Sequence, residues 1–278
     1  MRFRKKKTSA LKKLLALSAV FVLACLVYSF IEPYLLKETV TVIRNSDVPD
    51  AFVGKKIIFV SDFHLDAYSS PQKIANIVGR INAAAPDIII LGGDYVTDDE
   101  KYLKPCFAEL AKLQAPLGVY GVTGNHDSVA DYNLTVRYMK EAGIVPLENA
   151  AKDIEIKGEK IRIGGVKTSY GEISDAEPVT NDTREDDFVI LISHNPDFAE
   201  ELHTDRIDLM LSGHTHGGQV TLFGLWAPYV PSDYGQKYIK KYQTVNGIPV
   251  LVSNGVGTSA LPIRFFAPPE YNVIILEK

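Results

Sequence analysis

From Leu14 to Ile31 the chain runs through 18 residues without a charge, LLALSAVFVLACLVYSFI, and beyond that run it breaks into short apolar stretches set among polar ones. The long run has no amphipathic period and is close to the ~20 residues that span a bilayer core, so it predicts one N-terminal transmembrane helix. Glu32 to Val53 is a linker whose alternating TVTVI at 39–43, between Pro33 and Pro49, predicts a first short strand. KKIIFV (55–60), DIIILGG (87–93), FVILIS (188–193) and IDLMLS (207–212) are continuous apolar runs of the kind that strands buried on both faces require. GVYGV, PVLVSNGVG and YNVIILE add further strands, and DIEIKGEKIRIGGV predicts a hairpin turning at Lys157-Gly158-Glu159. Helical spacing covers 71–84, 100–113 and 131–142, with His203 on another helix, and the polar, acidic stretch 169–187 is expected to be a flexible insert.

Helices in the first half and hairpins in the second predict an α/β (α+β) domain of two packed sheets flanked by helices. The organisation is a basic N-terminus (1–13), an anchor (14–31), a linker with a first strand (32–53) and one folded domain (54–278). A 46% hydrophobic composition is ample for such a core.

The net charge of -4 hides an asymmetry. Arg2, Arg4, Lys5, Lys6, Lys7, Lys12 and Lys13 all precede the first acidic residue, Glu32, which leaves 23 basic against 34 acidic residues for the rest. Basic residues before the apolar run predict a cytoplasmic N-terminus with the body outside. A core helix and a cleaved signal peptide are rival readings. Seven cations ahead of the run argue against the first, and the lack of a clear A-x-A site argues against the second. Val22-Leu23-Ala24-Cys25 has the look of a lipoprotein box, but apolar residues continue past it, so an uncleaved anchor is expected. So acidic a body is a poor tracker of nucleic-acid phosphates. Cys25 and Cys106 are the only cysteines, too few for a disulfide framework or a thiolate zinc site.

Five of the six histidines fall in four polar motifs: Asp62-Phe63-His64, Gly124-Asn125-His126-Asp127, Ser193-His194-Asn195 and Gly213-His214-Thr215-His216. Gly92-Gly93-Asp94 lies between the first two, and each motif follows a predicted strand. Singly, each would be an ordinary turn or a hydrogen-bonded histidine. Together they supply imidazole, carboxylate and amide oxygen, ligands for borderline or hard divalent metals, in the number that a two-metal hydrolytic site needs. His203, outside any motif, and Asp66, a loop acid, are left out of the site.

The order of these blocks resembles the calcineurin-like metallophosphoesterase family, over residues 56 to about 276. The resemblance implies a four-layer αββα sandwich and two divalent metals (manganese, iron, zinc or cobalt, with manganese favoured). It implies Asp62, His64 and His216 on one metal, Asn125, His194 and His214 on the other, and Asp94 bridging them. A hydroxide between the metals would be the nucleophile. His126 would lie over the phosphate and protonate the leaving oxygen, Asp127 would orient its ring, and Arg264 would contact a phosphate oxygen. Gly217-Gly218 would form a turn bringing backbone close to the metals.

Tyr95-Val96-Thr97-Asp98 follows Asp94 without the arginine of the protein serine/threonine phosphatases, and Thr97 stands where purple acid phosphatases carry a tyrosine ligand. The GHTHGGQ run and the closing SNGVGTSALPIRFFAPPE instead resemble the bacterial membrane-anchored phosphodiesterase branch, some of whose members are similar to UDP-2,3-diacylglucosamine pyrophosphatases of lipid A biosynthesis. The expected function is therefore a membrane-anchored phosphodiesterase acting on a phosphoester or pyrophosphate, with an amphiphilic, lipid-linked or cell-envelope substrate. A UDP-linked substrate is cytosolic and conflicts with a body outside the membrane. The alternatives are a catalytically silent envelope-binding scaffold, which would have no chemical need of His126 and a full ligand set, and a nuclease of the same fold.

Overall fold

The computed structural model describes residues 4–168 and 174–278; the basic residue Arg2 lies outside them. A long helix α1 (Arg4–Ile31) leads to strand β1 (Lys37–Arg44), then β2 (Lys56–Val60), α2 (Pro71–Ala83), β3 (Ile88–Leu91), α3 (Leu103–Leu110), β4 (Val119–Gly121), α4 (Asn125–Glu141) and β5 (Val145–Pro146). The second half holds β6 (Ala150–Ile156), β7 (Glu159–Gly165), a short α5 (Glu177–Thr180), β8 (Val189–Ile192), β9 (Leu209–Ser212), β10 (Tyr242–Val245), β11 (Ile248–Val252) and β12 (Glu270–Glu277). These make two six-stranded sheets, ordered β1-β12-β2-β3-β4-β5 and β10-β11-β9-β8-β7-β6.

Side chains alternate across a strand, which explains why the central runs are apolar throughout. Ile57, Phe59, Ile88 and Ile90 of the first sheet meet Ile161, Ile163, Ile190, Ile192, Leu209 and Leu211 of the second in one core. Their neighbours Ile58, Val60, Ile89 and Leu91 face the opposite way, against Ile74, Ile77 and Ile81 of α2 and Phe107 and Leu110 of α3. The outer face of the second sheet, with Val189, Leu191 and Met210, is covered by Val179 of α5, by Phe198 and by Tyr238. The result is the expected αββα order with a thin fourth layer of short helices and turns.

Several local expectations change. In the second sheet only β6–β7 and β10–β11 pair antiparallel, whereas β7, β8, β9 and β11 run parallel, because their connections cross over the outer face. Residues 169–173 of the expected insert lie outside the described residues, while 177–180 form α5 and bury Val179. His203 is exposed on a loop, since the turn before it ends at Glu200. The hairpin turns at Lys157-Gly158 alone, both with positive φ, the geometry of a two-residue I′ turn.

α1 is apolar and long enough to cross a membrane by length and composition, with a mean hydropathy of 2.6, and it is almost wholly exposed. Its last turn is fastened to the body. The Ser29 carbonyl accepts from Arg264 N at 2.9 Å, and the Tyr28 ring packs on Phe265 and Phe266. Just beyond the helix, Glu32 Oε2 accepts from Phe266 N at 2.7 Å.

Candidate metal centre

β2, β3 and β4 are parallel, as are β8 and β9, so the segments following them gather at one edge of the sandwich. Asp62 and His64 follow β2, Asp94 follows β3, Asn125 and His126 open α4 after β4, His194 follows β8, and His214 and His216 follow β9. Loops held by rigid strands are where precise sites are built. The backbone there is strained: Asp62, His64, Asp94, His214 and His216 have φ of 57, 45, 54, 67 and 52°. Such conformations cost a non-glycine residue about 1–3 kcal/mol and persist only where the surroundings enforce them. Gly217 and Gly218, at φ 59 and 81°, complete the turn after His216.

The seven candidate ligands converge. Asp62, His64 and His216 form one triad and Asp94, His194 and His214 another, each with its donor atoms within 4.8 Å of one another. Asp94 joins them, with Oδ2 3.4 Å from His64 Nε2 and 3.1 Å from His194 Nε2. Asp62 Oδ1 is 3.5 Å from His216 Nε2. His126 stands at the rim, its ring centroid 4.9 Å from that of His64, and its N–H donates to Asp94 Oδ1 at 3.0 Å.

Two supporting residues differ from expectation. Asp127 does not reach the His126 ring. Its carboxylate is fully buried and accepts from the N–H groups of Asp94, Tyr95 and Gly124, each at 2.8 Å, so it fixes the Asp94 loop and the start of α4. The partner of His126 Nδ1 is Asp98, at 2.6 Å, a residue marked in the sequence only by its place four positions after Asp94. Arg264 is 0% exposed and cannot meet a substrate. Its guanidinium donates to the carbonyls of Gly257 at 2.7 and 2.9 Å, Asn254 at 2.7 Å and Ala267 at 2.8 Å, and lies 3.2 Å from His216 Nδ1. It knits the C-terminal loop beneath His216. Thr97, whose hydroxyl is 3.1 Å from His64 Nδ1, steadies that ring.

The donor set fits divalent metal. His194 Nδ1 is 2.7 Å from the Gly92 carbonyl, which requires the proton on Nδ1 and leaves the Nε2 lone pair facing the cluster. That Nε2 and Asn125 Oδ1 are buried without a hydrogen bond, an arrangement that costs free energy unless something else is bound. The Nε2 atoms of His64 and His216 face each other at 3.1 Å, so a proton or a cation must lie between them. Burial lowers His64 and His214 to about 3, keeping both imidazoles neutral. Burial also opposes charge on His194, but the carboxylates of Asp94 and Asp62 overcome it and raise it to about 10. Asp94 itself is held below the carboxylate range; burial opposes this, and His194 and His64 prevail. The centre thus sets neutral imidazoles at His64 and His214 beside a His194 whose positive charge the buried carboxylates favour.

The centre opens into a cleft of about 580 Å³ lined by Asp94, Asn125, His126, His214 and His216 on its floor and by Val220, Pro228, Tyr229 and Leu261 on its wall. The sequence pattern of the calcineurin-like phosphoesterases matches residues 55–218, and this span contains every candidate ligand. The chain is 31% identical to the uncharacterized metallophosphoesterase YkuE of Bacillus subtilis, over 89% of this chain and 88% of that one. It is 27% identical to the phosphodiesterase YaeI of Escherichia coli, over 80% and 82% of the two chains. A transmembrane protein with a metallophosphoesterase domain from Danio rerio is also 27% identical, over 83% of this chain and 55% of its own. With buried, metal-competent triads on this fold, the chain belongs to the calcineurin-like phosphoesterase family and is a hydrolase of phosphoesters.

Proposed function

We propose that the protein is a membrane-anchored phosphodiesterase with a dinuclear centre. Asp62, His64 and His216 would hold one divalent metal and Asn125, His194 and His214 the other, with Asp94 placed between the two sets. The observation that carries this is the sharing of Asp94 between two histidine-rich triads, since one carboxylate between two cations offsets their repulsion. Mixed nitrogen and oxygen donors suit manganese, iron, zinc or cobalt, and the carboxylate share favours manganese. When bound, such a pair supplies Lewis acidity and an activated water.

The chain's own residues do the rest. His126, at the rim of the cleft, donates a proton to the leaving oxygen, and Asp98 holds its ring by Nδ1 so that Nε2 is presented to substrate. Asp127 keeps the Asp94 loop in place through three backbone N–H groups, and Arg264 does the same for the loop under His216.

Residues 14–31 anchor the protein, 32–53 connect, and 54–278 catalyse. The seven basic residues before the apolar run favour a cytoplasmic N-terminus and a catalytic domain outside it, at the cell membrane. That topology favours an amphiphilic cell-envelope phosphodiester over a cytosolic UDP-linked lipid. A C-terminal alkaline phosphatase fusion that is inactive, with a fluorescent-protein fusion that glows, would overturn the orientation.

The decisive experiment strips the detergent-solubilised full chain with chelator and follows hydrolysis of bis-p-nitrophenyl phosphate and p-nitrophenyl phosphate after adding manganese, zinc or nothing. Diester cleavage restored by manganese and lost in Asp94→Asn is expected. Metal-independent turnover, or a preference for the monoester, would refute the proposal.

A further inference from the structure

Residues 220–231, VTLFGLWAPYVP, contain no charged side chain. Leu225 is 80% exposed, and Leu222, Phe223, Trp226 and Tyr229 are more than half exposed. Contiguous apolar surface of this kind on a protein in water marks a contact site. The segment is also held in shape. Leu222 N donates to the Trp226 carbonyl at 2.6 Å, Gly224 N to Thr221 Oγ1 at 2.8 Å, and Thr221 Oγ1 to the Phe265 carbonyl at 3.1 Å. It is a built loop with its apolar side chains turned outward.

The base of the loop is fastened to the last turn of α1. Phe223 packs on Phe266 at 5.1 Å between centroids, and Phe266 packs on Tyr28 at 6.0 Å. Tyr28 lies three residues before the end of α1, so at 1.5 Å per residue these rings stand roughly 5 Å back along the helix from its exit. If α1 crosses a bilayer, that level is the boundary of headgroups and acyl chains, where tryptophan and tyrosine concentrate and apolar faces bury by about 5–10 Å.

We infer that the loop 220–229 is a second membrane contact, seated in the bilayer interface beside α1, and that it turns the cleft mouth toward the lipid surface. Val220 and Tyr229, at the two ends of the loop, also line the wall of the cleft. A lipid phosphodiester would therefore enter with its apolar part along Tyr229 and Leu261 and its phosphate toward Asp94 and His126. Lipid is the occupant because the patch is uncharged and level with the end of the apolar helix. The inference rests on the anchoring proposed above.

Trp226 is the only tryptophan in the chain, so its fluorescence reports this loop alone. The full chain would be reconstituted into phosphatidylcholine vesicles, with and without lipids brominated on the acyl chains, and titrated with iodide. At least a two-fold loss of emission with brominated lipid, together with at least three-fold weaker iodide quenching than in denaturant, is expected. Free iodide quenching without any bromolipid effect would overturn the inference, as would shielding from both quenchers, which would mean a protein cover. Flotation of the same vesicles after an alkaline wash reads α1 separately. A chain that floats with Trp226 in water refutes the loop contact and leaves the anchor standing, whereas a chain that does not float refutes the anchor and the inference with it.

Discussion

Replacing Arg264 by methionine separates a structural arginine from a substrate-binding one. The guanidinium serves three buried carbonyls, of Asn254, Gly257 and Ala267, through four contacts of 2.7–2.9 Å. Methionine fills much of the volume but donates nothing. Each orphaned buried acceptor costs about 1–3 kcal/mol, so the gross loss is on the order of 3–9 kcal/mol. Part returns, because a guanidinium fully buried among carbonyls is itself poorly solvated; burial lowers it to about 10 even with Asp62 and Glu270 nearby. A net loss of about 3 kcal/mol is expected, a large share of the ~5–15 kcal/mol that holds a domain together.

With a urea m-value of about 3 kcal/mol/M, as suits a large domain, that loss lowers the unfolding midpoint by about 1 M. The assay is urea unfolding of the solubilised full chain followed by circular dichroism, with bound metal measured in parallel. Arg264→Met should lose both stability and metal, since the loop beneath His216 loosens, and Arg264→Lys should fall between. A variant with an unchanged midpoint and full metal content, but a KM for diester raised ten-fold or more, would refute this reasoning and restore Arg264 to the substrate.

Three further outcomes are expected. A Cβ on Gly124 would overlap Asp94 Oδ1 and stand 2.7 Å from Asp94 N, so Gly124→Ala should fold yet lose bound metal, read by elemental analysis and circular dichroism. Asp98→Ala should lower kcat about ten-fold for an alkyl phosphodiester, whose leaving oxygen needs a proton, and hardly at all for bis-p-nitrophenyl phosphate; equal losses on both would argue against His126 as the acid. Burial lowers Lys73 to about 8 from 10.5, so the folded chain sheds this proton before the unfolded chain does. Stability should therefore rise between about pH 8 and 10.5, and Lys73→Met should remove that rise in pH-resolved thermal unfolding.

The central strands were legible because a strand buried on both faces must be apolar throughout, and β2, β3, β8 and β9 have no other way to sit between two layers. The candidate ligands were legible because metal chemistry restricts residue type, so histidine, aspartate and asparagine after strands stand out. Supporting residues carry no such restriction. Asp98 serves His126 from four residues beyond Asp94, and any acid or amide on that loop would have looked the same. Arg264 was misjudged because an arginine near a phosphate site reads as a phosphate contact, and only its zero exposure shows that its donors are spent on backbone. The parallel pairing in the second sheet was hidden for a related reason: strand pattern reports burial, and pairing direction is decided by the path of the connections.

The order of the ligands along the chain explains why the site tolerates its own strain. The first triad joins Asp62 and His64 from the first sheet with His216 from the second, and the other joins Asp94 from the first with His194 and His214 from the second. Neither of these two triads lies within one half of the sandwich. Contacts across the seam lock the unfavourable backbone: Asp62 accepts from His214 N at 3.1 Å, and its carbonyl accepts from Gly257 N at 2.6 Å. Strain at five residues, each about 1–3 kcal/mol, is therefore sustained by the interface between the sheets rather than by any one loop. A cavity in that interface, such as one left at Ile90 or Leu211, would weaken the clamp on both triads at once. The core that gives this chain its fold is also what sets the distance between its metal-binding groups.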